Sequence, residues 1–235
     1  MEKINKIFVI TNIVTLLILG YVAKKSGYIH KLKIKMGILS PPEKEPDYWA
    51  VKGWENTIKK LDYDADIVFL GNSITYYGAF NKAFPDKKVV NLGYPGDKIN
   101  GMMRRIETIK AVSPEKVFVM AGINGLKDME LKTFYEKYKL LVDSIKKAVP
   151  DADIYLQSIL PVNSSRNTDY GSNDKIADAN KLIKKLAVKQ HCMFVDLFSL
   201  YVKNNEMPMS LTKDGIHLKD SAYKRWYDKL KSFVQ

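Results

Sequence analysis

Asp66-Ile67-Val68-Phe69-Leu70-Gly71-Asn72-Ser73-Ile74-Thr75 is the stretch whose reading decides the fold. Ile67 to Leu70 are four consecutive apolar residues, the pattern of a strand buried on both faces in a parallel sheet, and Gly71 ends the run. Ser73 then falls just past the C-terminal end of the strand, where open α/β sheets hold their ligands and where a following helix aims backbone N–H groups. That is a suitable place for a nucleophile. It is equally a place where serine caps a helix, and the stretch alone leaves both readings open.

Working outward, further buried-strand patterns lie at Lys88–Asn91, Lys116–Ala121, Ile154–Leu160 and Met193–Leu197. Between them the apolar spacing predicts helices over Ile99–Ala111, Glu130–Val149, Asp174–Gln190 and Ser221–Val234, with one more over Trp49–Leu61 ahead of the first strand. Strand and helix alternate throughout. The expected architecture is therefore α/β, a parallel sheet of about five strands covered by helices on both faces.

The 235 residues suffice for one such domain, and 46% hydrophobic with 27% charged residues is ordinary globular composition. A net charge of +12 suggests nucleic acid until it is located along the chain. Lys3, Lys6, Lys24, Lys25, Lys31, Lys33 and Lys35 stand against Glu2 alone, so half of the excess belongs to the first 35 residues. These lysines bracket Ile7–Ala23, an uncharged run that would rise about 26 Å as a helix, close to the thickness of a bilayer's hydrocarbon. A membrane partner is expected, and no nucleic acid, because no helix-turn-helix or RNP-like pattern follows. Cleavage after Ala23 would put Tyr21 where a small residue is wanted, so residues 1–25 read as an uncleaved anchor rather than a signal peptide. The lysines after the run favour a cytoplasmic domain by the positive-inside rule, whereas Lys3 and Lys6 before it resemble an export signal. The expectation adopted is an extracytoplasmic domain. Residues 26–47, basic and then proline-rich, read as a linker, with the domain over 48–235. Cys192 is the only cysteine, which rules out an intramolecular disulfide and a cysteine-rich metal site.

Three later stretches carry polar groups to strand ends. Asn91-Leu92-Gly93-Tyr94-Pro95-Gly96-Asp97 is a turn in which Gly93 could bring a backbone N–H close to a ligand or simply turn the chain. Gly122-Ile123-Asn124-Gly125 ends the third strand, and Asn124 either donates into a site or takes the left-handed conformation of a turn. Near the C-terminus, Asp214-Gly215-Ile216-His217 sets a carboxylate three residues before a histidine, so that Asp214 can accept the Nδ1–H and leave Nε2 as a base. His30 and His191 are the only other histidines, and neither is so placed.

Taken in order, Gly71-Asn72-Ser73-Ile74, Gly93, Gly122-Ile123-Asn124 and Asp214-Gly215-Ile216-His217 resemble the four blocks of the SGNH, or GDSL-like, hydrolases, over about residues 48–235. The resemblance implies a flavodoxin-like three-layer α/β/α sandwich and ester or thioester hydrolysis through an acyl-enzyme. It makes Ser73 the nucleophile, His217 the base and Asp214 the residue orienting it. It makes Gly93, through its N–H, and Asn124, through its amide, oxyanion donors beside the Ser73 N–H. Two residues depart from the pattern: Asn72 stands where aspartate is common, and Gly125 replaces the aspartate that often follows the third-block asparagine.

Serine chemistry requires no cofactor or metal, and no metal-ligand set is apparent. Tyr76, Tyr77 and Phe80 follow the nucleophile, Tyr94 sits beside Gly93, and the polar segment Pro161–Asn173, with Asn163 and Arg166, follows the fourth strand. The expected substrate is a small or carbohydrate ester, most simply an acetyl ester of a cell-envelope carbohydrate. Lysophospholipase or thioesterase activity is the enzymatic alternative, and a non-catalytic carbohydrate-binding module on the same fold is the alternative of another class.

Overall fold

The computed structural model describes residues 64–235. The expected anchor (1–25), linker (26–47) and helix over Trp49–Leu61 lie outside the described residues, as does the expected domain start at residue 48. Among the described residues no helix is long and apolar enough to cross a membrane.

Five parallel strands form one sheet: β1 (Ile67–Gly71), β2 (Val89–Gly93), β3 (Lys116–Met120), β4 (Asp153–Gln157) and β5 (Met193–Val195). Their order, β2-β1-β3-β4-β5, is the flavodoxin-like one, and it reverses direction at β1. The helices are α1 (Ser73–Tyr76), α2 (Phe80–Ala83), α3 (Ile99–Arg104), α4 (Ile106–Lys110), α5 (Ile123–Leu126), α6 (Leu131–Ala148), α7 (Asn173–Lys189), α8 (Phe198–Tyr201) and α9 (Tyr223–Val234).

Because side chains alternate across a strand, the register puts Phe69, Phe118 and Tyr155 side by side on one face. Their rings stack at 5.0 and 4.3 Å between centroids, and Phe80 of α2 closes one end of the row at 3.8 Å. Trp226 and Phe233 of α9 meet this layer edge-on. The alternate residues Val68, Leu70, Val117, Val119 and Leu156 are fully buried, and α7 packs along β4 and β5 while α6 packs on α3, α4 and α7. The strand and helix expectations thus hold in outline.

The fifth strand stops at Val195 rather than Leu197, and two other departures from the expected bounds have a side-chain reason. The fourth strand stops at Gln157 rather than Leu160, because side-chain amides take over from a neighbouring strand. Asn180 pairs with both the N–H and the C=O of Ile159, and Asn173 does the same for Val162. The helix expected over Ile99–Ala111 breaks at Arg105 (φ −103°, ψ 11°), whose side chain turns inward and is only 1% exposed.

The Arg105 guanidinium is the polar centre of this end of the sheet. It donates to Leu92 O of β2 at 2.8 Å, reaches Gly71 O of β1 at 3.4 Å, and pairs with the buried carboxylate of Asp97. Burial pushes the Asp97 carboxyl above its ordinary range, with the guanidinium and the Lys98 N–H pulling against that rise. Removing the cation would leave an uncompensated buried carboxylate. Arg105→Ala is accordingly expected to cost about 3–5 kcal/mol of folding stability, measured by urea denaturation at neutral pH.

Candidate active site

The site is assembled at the C-terminal ends of β1, β2 and β3, around the point where strand order reverses. Asn72 caps α1 by accepting the Ile74 N–H on Oδ1 at 2.9 Å, the local task an aspartate would perform without the charge. The cost is that Asn72 Nδ2 is buried with no acceptor among the described residues. Ser73 is therefore the first residue inside the helix, and no acceptor among the described residues takes its N–H.

His217 and Asp214 arrive together on one tight loop. Thr212 Oγ1 accepts the Gly215 N–H and donates to His217 O, both at 2.9 Å. Gly215 has φ +98°, and an added Cβ would meet Asn167 and the Asn163 carbonyl at 2.9 and 3.1 Å, so glycine is required there. Asp214 Oδ1 accepts the Ile216 and His217 N–H groups at 3.1 and 2.8 Å, which leaves Oδ2 facing His217 Nδ1 at 2.6 Å. A carboxylate at Nδ1 fixes the proton on that nitrogen, so the lone pair of Nε2 faces Ser73 Oγ at 2.9 Å. The three side chains form one continuous hydrogen-bonded line.

Partial burial raises the Asp214 carboxyl, but the hydrogen bonds from the His217 ring, the His217 N–H and the Ile216 N–H outweigh it. The net result is a pKa below the ordinary carboxylate range. A carboxyl whose folded-state pKa is lowered contributes stability above its unfolded pKa and loses it as pH falls through the folded value.

Gly93 is where the geometry departs from expectation. Its N–H donates to Asn91 Oδ1 at 2.9 Å and so is already engaged. Gly93 instead has a packing task, since an added Cβ would stand 2.1 Å from Tyr76 N and 2.5 Å from Tyr76 Cα. Three residues on, Gly96 turns at φ +76° with open space where its Cβ would be, and its N–H has no acceptor among the described residues. The correction is that the turn after β2 offers Gly96, not Gly93, as its unengaged donor. Asn124 donates from Nδ2 to Asp97 O at 2.8 Å, which fastens it beside the Gly96 turn and leaves one amide hydrogen over. The neighbouring loop thus does the holding that the missing aspartate at Gly125 does not.

Asn91, Thr212 and Arg105 were not singled out from the sequence. Asn91 Nδ2 donates to Thr75 O and Gly78 O at 2.9 and 3.0 Å, closing the C-terminal end of α1 while its Oδ1 holds Gly93. A polar residue inside an otherwise apolar strand, as in Val89-Val90-Asn91-Leu92, was the available signal for it.

The model of the GDSL-like Lipase/Acylhydrolase family matches residues 69–225. That match runs from within β1 through the rest of the sheet and both blocks of the hydrogen-bonded line to the first turn of α9, and the chain belongs to this family, as an ester-hydrolysing enzyme. Among curated proteins it is similar to a multidomain esterase of Ruminococcus flavefaciens, 21% identical over 148 residues. That alignment takes in 59% of this chain but only 19% of the esterase, so the chain spans about a fifth of the relative's length. Among solved structures, a Streptococcus pneumonia protein shares 22% identity with a TM-score of 0.71, over 91% of this chain and 99% of its own. A GDSL-like lipase from Bacteroides thetaiotaomicron shares 20% identity with a TM-score of 0.65, over 80% and 97%. The acetyl xylan esterase AlAXEase shares 22% identity with a TM-score of 0.61, over 72% and 99%. These likenesses show the fold.

Gly93→Ala is expected to lower the thermal midpoint more than Gly96→Ala does. The first drives a methyl group into helix backbone, whereas the second meets only backbone strain of about 1–2 kcal/mol. Asp214→Asn gives a second check. Its stability deficit against the wild type should be constant near neutrality and close as pH falls below the ordinary carboxylate range, followed by urea denaturation across pH.

Proposed function

We propose that this chain is a serine esterase that removes small acyl groups, acetyl foremost, from a carbohydrate. The observation that carries the mechanism is the unbroken line Ser73 Oγ–His217 Nε2–Asp214 Oδ2, with His217 Nε2 oriented to accept a proton. In this reading His217 takes the Ser73 hydroxyl proton as Oγ attacks the acyl carbon, because a serine hydroxyl at neutral pH needs an adjacent base. Asp214 holds the imidazole and balances the charge it acquires. The tetrahedral oxyanion is met by the Ser73 N–H, the Gly96 N–H and the remaining Asn124 amide hydrogen, each worth on the order of 3 kcal/mol of barrier. Collapse expels the sugar hydroxyl with the proton from His217, and water repeats the sequence to release the acid and restore the serine.

Support for an acetylated carbohydrate comes from two directions. The fold is shared with an acetyl xylan esterase. The site is also flanked by the polar stretch Ser164–Tyr170, which suits a substrate rich in hydroxyl groups better than an alkyl chain. An N-terminal membrane anchor, read from residues 7–23, would set this chemistry at a cell envelope.

Hydrolysis of p-nitrophenyl acetate and butyrate tests the reading. The acetate should be turned over faster, with kcat falling by about 10⁶ in Ser73→Ala and His217→Ala. A folded wild-type chain no faster than these variants would sink the assignment.

A further inference from the structure

Tyr76 and Tyr77 close the short helix that begins at Ser73. They are 54% and 55% exposed, although the three residues before them are buried. Their rings meet edge to face at 5.2 Å between centroids, and the Tyr77 ring meets His217 in the same way at 5.6 Å. An apolar surface left in water beside the base is unfavourable unless something covers it.

The backbone beneath these rings is fixed from three sides. Asn91 holds the carbonyls of Thr75 and Gly78, the Tyr223 hydroxyl donates to Ile74 O at 2.7 Å, and the Ala79 N–H donates to the Tyr227 hydroxyl at 2.7 Å. The two exposed rings therefore sit on one of the better-fastened backbone segments of the site. Ordering costs are met before any ligand arrives.

The flanks of His217 differ in character. Tyr77 meets the imidazole, and Tyr76 meets Tyr77. The loop carrying Ser164, Ser165, Arg166, Thr168 and Asp169 packs on Gly215, where Asn163 N donates to Gly215 O at 2.8 Å. An aromatic pair on His217 and a polar loop on Gly215 thus meet at one short segment of chain. A pyranose ring has the matching character, with apolar C–H faces that stack on aromatic rings and a rim of hydroxyls for polar side chains.

From this arrangement we infer that Tyr77 and Tyr76 form the stacking platform for the sugar ring that bears the ester and for its neighbour, and so set the specificity of the site for acylated oligosaccharides. The inference rests on the serine esterase reading for its chemistry but concerns binding, which can be measured without turnover.

The full chain carrying Ser73→Ala should bind partially O-acetylated xylotriose in isothermal titration. Adding Tyr77→Ala should weaken binding at least tenfold, Tyr76→Ala severalfold, and Tyr77→Phe, which keeps the ring, less than twofold. In the catalytically intact chain, Tyr77→Ala should lower kcat/KM for the acetylated xylotriose at least ten times more than for p-nitrophenyl acetate, chiefly through KM. An equal loss on both substrates through kcat would mean that the ring only positions His217, and would overturn the platform. So would turnover of p-nitrophenyl acetate by a wild type whose Ser73→Ala variant binds no acetylated xylotriose, or a higher kcat/KM for lysophosphatidylcholine. Ring-dependent binding without turnover of either ester would keep the platform and remove the esterase reading instead. Neither binding nor turnover would remove both.

Discussion

The buried pairing of Arg105 with Asp97 is the interaction on which this site depends. A cation and a carboxylate at 1% exposure are costly to desolvate, and such a pair persists only where its remaining hydrogen-bonding groups are served. Here the guanidinium is served by carbonyls at the ends of β1 and β2, and the Asp97 backbone carbonyl in turn holds Asn124 at the end of β3. One side chain thus ties together the strand that presents Ser73, the turn that presents Gly96 and the loop that presents Asn124. The helix predicted through this region breaks so that Arg105 can turn inward, and the continuity of a helix is exchanged for a fixed relation between three loops.

Much of the fold was legible because burial on both faces leaves a plain mark. Runs such as Ile67–Leu70 and Val117–Met120 admit few readings other than a central parallel strand, and they lie where they were expected. The line from Ser73 through His217 to Asp214 was also legible. Its short-range part, the Asp214–His217 spacing, is a property of one loop, and its long-range part follows from family order. What the sequence hid was the use of side chains on the backbone. Spacing does not say which of two glycines three residues apart keeps an unengaged N–H, because the answer lies in the amide of Asn91. Nor does it say that Asn180 and Asn173 replace a strand partner beyond Gln157, or that Arg105 belongs inside. In each case a polar side chain satisfies main-chain groups far from it in sequence, which periodicity does not register.

The two departures from the family blocks are absorbed in the same way. Asn72 does the capping work of an aspartate through its carbonyl oxygen and leaves its nitrogen unserved, while Gly125 is relieved of holding Asn124 by the neighbouring turn. The site has kept its geometry by redistributing hydrogen bonds.

The fastening of α1 by Tyr223 and Tyr227 bears on the order in which the site can form. The imidazole that faces Ser73 and the two hydroxyls that steady its helix come from residues separated from their partners by 144 to 149 positions. The pairing of β1 with β2 and β3 uses none of these partners. The hydrogen-bonded line and the fastening of α1 are complete only once the loop carrying His217 and α9 have docked. In a partly folded chain the Ser73 hydroxyl therefore has no imidazole beside it, so the hydrogen-bonded line and the finished fold come into being together.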